Sequence, residues 1–189
     1  IFNKEMNDSA AVRVSNYLSS DVAIASAKVV EPKADRVVLT FSPALAADTV
    51  EISASNLRCV SGFVLNGATS RLARPQEPQV GDLIINEILY NPDEGVGEYV
   101  EVFNKSNKVI NLANICITSR LGSGQLKAPR AVTADSILLF PYKYLLISND
   151  IRSVCSVYSC GEADGVRCDT VLPTLPNKEG NVVLCTANN

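Results

Sequence analysis

Short runs of β-branched and aromatic residues recur along the whole chain, and clusters of turn residues separate them. Such runs are typical of β-strands, and many short strands with regular turns are typical of a β-sandwich. One short helix is predicted after Asp150, which can cap it, because Ile151, Val154 and Tyr158 share a helical face. The predicted strands cover residues 22–24, 27–30, 36–41, 49–53, 83–90, 98–103, 115–118, 137–140, 144–147 and 181–185.

A segment with two prolines and few apolar side chains divides the chain near residues 71–81. Proline biases the residue before it toward extended backbone, so this segment is typical of a stiff linker. The 189 residues are enough for two domains of roughly 80–110 residues each. We therefore predict an all-β chain of two tandem β-sandwiches, at residues 1–74 and 82–189, which a linker at 75–81 holds apart.

Charge and composition exclude several classes of function. The chain has 17 basic and 20 acidic residues, and its net charge of −3 belongs entirely to residues 79–189. A nucleic-acid partner is therefore unexpected, because phosphate neutralisation needs a basic surplus. The chain has no histidine, which excludes catalytic triads and metal sites that depend on imidazole. No apolar run approaches the roughly 18–20 residues of a membrane span.

Alternation along the run at 98–103 predicts which side chains enter the core. Val100 and Val102 fall on one face of the strand, and Tyr99, Glu101 and Phe103 fall on the other. We predict that the two valines lie inside the second sandwich.

The order of motifs in the second half resembles the lamin tail domain, an immunoglobulin-like β-sandwich. The motifs are INEI at 85–88, EYVEVFN at 98–104, the NKSN turn at 104–107, and an Asn-Leu turn at 111–112 followed by an apolar pair. FPYKYLLISND at 140–150 resembles the bacterial form of the module. The chain departs from the family at Ile115, where tryptophan is usual, and residues 153–170 have the composition of an inserted loop.

The first half resembles the bacterial immunoglobulin-like modules of secreted and surface-layer proteins. The resemblance rests on FNKEM at 2–6, Asn-Tyr-Leu at 16–18, the runs at 36–41 and 49–52, and Asn-Leu at 56–57. Together the two resemblances imply an exported bacterial protein, located outside the cell, on its surface or in the periplasm. Relative to both families the ends are expected to be trimmed, with Asn188 and Asn189 opening a turn into an absent strand. An open sheet edge that favours self-association is then expected.

The expected function is a non-catalytic structural, adhesive or partner-binding module of a multidomain protein. The expected partner is a protein or a cell-surface glycan, and no cofactor is expected. The alternative is an accessory region that targets or scaffolds a secreted hydrolase, whose catalytic domain lies outside this chain.

Five acidic residues form the strongest candidate for a metal site: Glu87, Asp93, Glu94, Glu98 and Glu101. Calcium prefers oxygen ligands, and Asp93, Glu94 and Glu98 surround a turn that also offers carbonyl oxygens. The alternative, which we favour, is that these carboxylates are solvated at strand edges. Glu98 and Glu101 point to opposite faces of a strand and therefore cannot flank one glycosidic bond.

A turn with three aromatic residues is a candidate docking surface. Tyr142 and Lys143 form its tip, between Phe140 and Tyr144. It is a candidate platform for stacking on a sugar or docking a protein. The simpler interpretation is that Phe140 and Tyr144 pack inward and leave Tyr142 alone exposed.

Six cysteines allow fifteen disulfide pairings, so the sequence alone does not choose among them. Within the inserted loop we predict Cys160–Cys168, because Gly161 and Gly165 let the chain fold back. Zinc binding by Cys155, Cys160 and Cys168 is the weaker alternative, since there is no CxxC pair and no histidine. The remaining cysteines are Cys59, Cys116 and Cys185.

Overall fold

The computed structural model describes residues 2–43, 49–161 and 165–187, and these are predominantly β-structure, as predicted. The chain divides into two compact units, residues 1–74 and residues 75–189. This division falls at the end of the predicted first domain. Asn188 and Asn189, predicted to open a final turn, lie outside the described residues.

The first unit contains a short helix α1 (Asp8–Ala11), a 3₁₀ turn (Val14–Asn16) and seven described strands. Strands β1, β4 and β7 form an antiparallel sheet with β4 in the centre, and β2–β3 and β5–β6 are antiparallel pairs. The strands are β1 (Tyr17–Ser19), β2 (Ile24–Val29), β3 (Val37–Phe41), β4 (Thr49–Ala54), β5 (Leu57–Arg58), β6 (Val64–Leu65) and β7 (Ala68–Ala73).

The core of the first unit surrounds Leu57, which is completely buried. Met6, Tyr17 and Val29 pack in the same cluster. Strand β7 includes residues 71–73, which the sequence placed at the start of the linker region. Their pairing with Thr49–Glu51 of β4 explains the difference, because it satisfies backbone groups that a linker would expose to water.

The second unit contains helix α2 (Ile151–Val157), a 3₁₀ turn (Leu112–Asn114) and nine described strands. The strands are β8 (Leu83–Leu89), β9 (Tyr99–Asn104), β10 (Ile110–Asn111), β11 (Ile115–Thr118), β12 (Arg130–Ala131), β13 (Leu138–Leu139), β14 (Tyr144–Ser148), β15 (Gly165–Asp169) and β16 (Val183–Thr186).

Two larger sheets and the antiparallel β10–β13 pair contribute to one core in the second unit. The first has the order β15-β14-β9-β8, in which only the β14–β15 pair is parallel among the described strands, and the second has the order β12-β11-β16. Val100 and Val102 of β9 are completely buried in this core, as predicted from the alternation. Ile115 and Ile117 of β11 join the same cluster.

The predicted linker at 75–81 belongs to the second unit. The Gln76 amide donates to the Val109 carbonyl at 2.8 Å, and the Gln79 amide donates to the Asp82 carboxylate at 2.7 Å. These bonds attach the segment to the unit that follows it, so it is not a free spacer.

Residues 153–170, predicted to be a loop, contain the end of α2 and all of β15. Strand β15 pairs with β14 in parallel, and its Val166 and Cys168 pack against the core. The predicted helix is confirmed: α2 begins after Asp150, whose carboxylate accepts the Ser153 amide at 3.1 Å.

Candidate functional site

One row of side chains crosses the outer face of the four-stranded sheet. The register places Glu87 of β8 opposite Glu101 of β9, Glu101 opposite Leu146 of β14, and Leu146 opposite Arg167 of β15. Because Val100 and Val102 point into the core, Glu101 must point outward. The sheet thus brings two carboxylates together on a face turned away from the core.

A β-bulge in β8 makes this pairing possible. The register shifts between Ile85 and Glu87, so Asn86 is an extra residue opposite Glu101. Without the bulge, strict alternation from the partly buried Ile85 would turn Glu87 inward. Bulges re-aim side chains in this way, and here the bulge lets Asn86 and Glu87 both approach β9 from the outer side.

Each carboxylate of the pair accepts a hydrogen bond from a neutral donor. The Tyr99 hydroxyl donates to Glu87 Oε1 at 2.6 Å, and Asn86 Nδ2 donates to Glu101 Oε1 at 2.7 Å. Burial, and then the bond to Glu87 and the charge of Glu101, raise the pKa of Tyr99 well above its ordinary value. Tyr99 therefore remains a protonated donor at physiological pH.

Helix α2 and the loop after it form a wall beside the pair. The Tyr158 ring meets Tyr99 edge-on, with centroids 5.9 Å apart. A disulfide between Cys155 and Cys160 closes the loop. Together with the sheet face they bound a cavity of about 440 Å³, which we call the outer-face cleft; its lining includes Glu87, Tyr99, Glu101, Tyr144, Leu146, Val154, Tyr158, Cys160 and Arg167.

Glycine is the only residue type that fits at position 165, the start of β15. A Cβ atom there would lie 1.9 Å from the Tyr144 carbonyl oxygen, far inside van der Waals contact. The absence of a side chain lets β15 approach β14 and complete the cleft lining.

The lining combines two carboxylates and the guanidinium group of Arg167 with aromatic rings. Carboxylates accept strong hydrogen bonds from ammonium and guanidinium groups, and the faces of tyrosine rings attract cations. The chemistry that this arrangement supports is the binding of a positively charged organic group. The cavity is large enough for a side chain.

The predicted docking residues lie outside the cleft. Tyr142 is exposed with a positive φ of 58°, and its hydroxyl donates to the Asn107 side chain. Tyr144, expected to pack inward, lies on the outer face and stacks on Phe103 with centroids 4.8 Å apart. The reason is the register, which aligns Tyr144 with Phe103 and gives Leu145 the inward position.

The candidate calcium ligands are not assembled into a site. Among the described residues no group of three acidic or cysteine side chains is placed to hold a metal ion. Asp93 and Glu94 are exposed on the connection before β9, whereas Glu87 and Glu101 of the same acidic group lie in the cleft. Burial raises the pKa of the Glu98 carboxyl.

The predicted disulfide Cys160–Cys168 is wrong, because Cys160 pairs with Cys155. Cys168 is a buried thiol on the inner side of β15, and burial, with the charge of Asp169, raises its pKa to about 11. The sequence prediction failed because it treated residues 165–169 as loop. The five-residue spacing of Cys155 and Cys160 across the end of a capped helix was the signal for the correct pair.

Sequence reasoning grouped Glu87 and Glu101 but did not place them opposite each other. It also did not identify Tyr158 or Tyr99 as part of a site. The bulge at Asn86 places Glu87 opposite Glu101. The packing of α2 and the residue after it against the sheet brings Tyr158 to Tyr99. Alternation alone gives neither.

Comparisons with known proteins give no match: no protein-family model, no curated protein and no solved structure is similar to the chain. The resemblance to the lamin tail domain therefore remains a prediction from the residues. Among the described residues, no helix is both long enough and apolar enough to cross a bilayer.

Proposed function

We propose that the chain is a non-catalytic, partner-binding part of a larger exported protein, and that the outer-face cleft binds a basic side chain of a protein partner. The observation that carries this proposal is the juxtaposition of Glu87 and Glu101 on the outer side of the sheet, in a cleft whose lining also includes three tyrosines. On this proposal the two units are immunoglobulin-like modules, the second of the lamin-tail type.

The energetics of the acidic pair support a cationic occupant. Like charges directly opposite each other on neighbouring strands destabilise a sheet. Asn86 and Tyr99 each donate to one of these carboxylates without bringing a positive charge, and Arg167 of β15 supplies one positive charge to the lining against two negative ones. A lysine or arginine side chain entering the cleft relieves the repulsion and forms charge-assisted hydrogen bonds.

Two further features support an exported protein and a protein partner. The disulfide Cys155–Cys160 is typical of proteins that fold in an oxidising compartment. The net charge of −3 in residues 79–189 favours association with a basic segment through electrostatic steering.

The test measures binding of the whole chain to synthetic peptides by fluorescence polarisation. The peptides differ only in one position, which carries lysine, arginine, norleucine or alanine. We expect the cationic peptides to bind about 10-fold to 100-fold more tightly than the neutral ones. Glu101→Gln should remove that preference, whereas Glu94→Gln, which removes the same charge from an exposed turn, should keep it.

Equal loss in both variants would mean general electrostatic attraction and would contradict a specific cleft. Equal affinity for the norleucine and lysine peptides would also contradict the proposal. Binding of neutral oligosaccharides instead of peptides would favour a glycan partner.

A further inference from the structure

Two cysteines lie directly opposite each other in the second sheet of the second unit. The antiparallel register of β11 and β16 pairs Cys116 with Cys185. The Ala187 amide donates to the Asn114 carbonyl at 3.0 Å, two residues away on each strand. Hydrogen-bonded pairs alternate along an antiparallel ladder, so Cys116 and Cys185 also form one, with Cα atoms about 5.5 Å apart.

That Cα separation falls inside the range of disulfides, whereas the Cβ atoms of a hydrogen-bonded pair lie about 4.5–5.5 Å apart and must close to about 3.5–4.5 Å when the bond forms. Cα atoms joined through a disulfide lie roughly 4.4–6.8 Å apart, most often about 5.5–6 Å. The two side chains also share a side of the sheet, because directly opposed residues in a ladder point the same way. Ile115 and Ile117 enter the core, so both thiols project from the opposite face.

The two thiols already interact and differ in exposure. Burial raises the pKa of Cys185, and so do the charge and the hydrogen bond of the neighbouring Cys116. Cys116 is almost completely buried, at 6% exposure, whereas Cys185 is partly exposed and lines a surface cleft with Val80 and Thr186. A reagent in solution therefore reaches Cys185 first.

We propose that Cys116 and Cys185 are a redox modification site that closes into a cross-strand disulfide. The oxidant is a small-molecule disulfide, such as oxidised glutathione. The Cys185 thiolate attacks one glutathione sulfur, the glutathione S–S bond breaks, and one reduced glutathione leaves. The Cys116 thiolate then attacks Cys185 Sγ, and the second reduced glutathione leaves. Two electrons pass from the cysteine pair to the oxidant, and the two thiol protons end on the departing glutathione sulfurs.

The other cysteines do not compete for this bond. Cys155 and Cys160 are joined to each other. Cys168 is buried on the inner side of the first sheet of the unit, and Cys59 is buried in the first unit. Each of these thiols belongs to a different cluster from the pair, so Cys116 is the neighbour that Cys185 meets.

The bond fixes an edge strand. Among the described strands, β16 pairs only with β11, and its Leu184 packs against the core. A disulfide between residues 116 and 185 closes a loop of 69 residues. Restricting a loop of that length raises the melting temperature of the unit by roughly 10 °C.

Tryptic mapping of the whole chain tests the proposal directly. Cleavage after lysine and arginine places Cys116 in the peptide 109–120 and Cys185 in the peptide 179–189. It places Cys59 and Cys168 in two further separate peptides, and Cys155 and Cys160 together in a fifth. After incubation with oxidised glutathione, we expect peptide 109–120 linked to peptide 179–189, and a reductant should separate them.

Matched variants connect the link to stability. Cys185→Ser should abolish the linked peptide and the rise in melting temperature on oxidation, whereas Cys168→Ser should keep both. Stable glutathione adducts on Cys185 with no linked peptide would overturn the proposal. So would a link from Cys185 to Cys59 or Cys168, or two thiols that stay free to alkylation in the unfolded oxidised sample.

Discussion

Two neighbouring residues of β9 face opposite sides of the sheet. Val102 has no solvent exposure and contributes to the core, whereas Glu101 faces the outer-face cleft. Strand alternation produces this separation, so the same strand supports the fold with one face and the proposed binding site with the other.

Substitutions at these two positions should therefore separate stability from binding. Val102→Ala should lower the free energy of unfolding by roughly 1–3 kcal/mol, because burial is lost and a cavity remains. Glu101→Gln should raise it slightly, by less than about 1 kcal/mol, because the repulsion from Glu87 is removed. Urea denaturation of both variants measures the difference, and the reverse ranking would show that the register of β9 is shifted by one residue.

Asp82 is the residue whose ionisation the fold favours most clearly. Its carboxylate accepts the Lys108 ammonium at 2.6 Å and the Gln79 amide at 2.7 Å. The hydrogen bond from Lys108, and then the one from Gln79, lower the pKa of the Asp82 carboxyl. The native state therefore binds this proton less readily than the unfolded chain does.

Linkage fixes the sign of the pH dependence. A lowered pKa gives stability that is complete above the unfolded value of about 3.9 and is lost as the pH falls through the folded value. Asp82→Asn should therefore be less stable than the native chain at neutral pH, and the difference should vanish in strong acid. Denaturation between about pH 7 and about pH 2.5 checks this. Asp93→Asn removes the same charge from an exposed turn and should show no such trend.

Individual elements differ in how far the sequence determines them. The alternation that buries Val100 and Val102, and the capping aspartate of α2, were both predictable, because each depends on neighbouring residues. Strand β15 was not, since Gly165–Asp169 becomes a strand only by pairing with β14. The bulge at Asn86 likewise depends on the pairing of β8 with β9. The sequence therefore indicated Glu87 and Glu101 as members of one acidic group but did not predict that they lie opposite each other.

Helix α2 is short, so its cap should matter. The Asp150 carboxylate accepts the Ser153 amide, one of the amides that the first turn leaves unpaired. Asp150→Ala should cost about 1 kcal/mol and weaken peptide binding, because α2 carries Val154 and leads into Tyr158 at the cleft wall. Asp150→Asn should retain both properties, since asparagine caps equally well. Chemical denaturation and the peptide assay together check this, and equal effects of the two variants would contradict a capping role.

At the scale of the whole molecule, each unit has a core of its own. The cluster around Leu57 consists of residues from the first unit, and the cluster around Val102 consists of residues from the second. Residues 75–81, despite two prolines, belong with the second unit through the Gln76 amide.

Separate cores should produce separate unfolding transitions. Leu57→Ala should lower the melting temperature of one transition, and Val102→Ala should lower that of the other. Differential scanning calorimetry of the two variants and the native chain resolves the transitions. A single transition that both substitutions shift equally would show that the units unfold together.

The segment that leaves the sheet after β14 and returns through α2 and β15 starts and ends at neighbouring residues. The Thr170 amide donates to the Ser148 carbonyl at 2.8 Å, so the chain returns to where it left the sheet. Residues 149–169 are thus a cassette with adjacent ends, and they supply the helix, the disulfide and the edge strand of the outer-face cleft. In evolutionary terms, the pairing of β15 with β14 and the burial of Cys168 restrict change in this cassette to its exposed residues. Substitutions at those exposed residues would therefore alter the wall of the outer-face cleft while β9 and β14 keep their register.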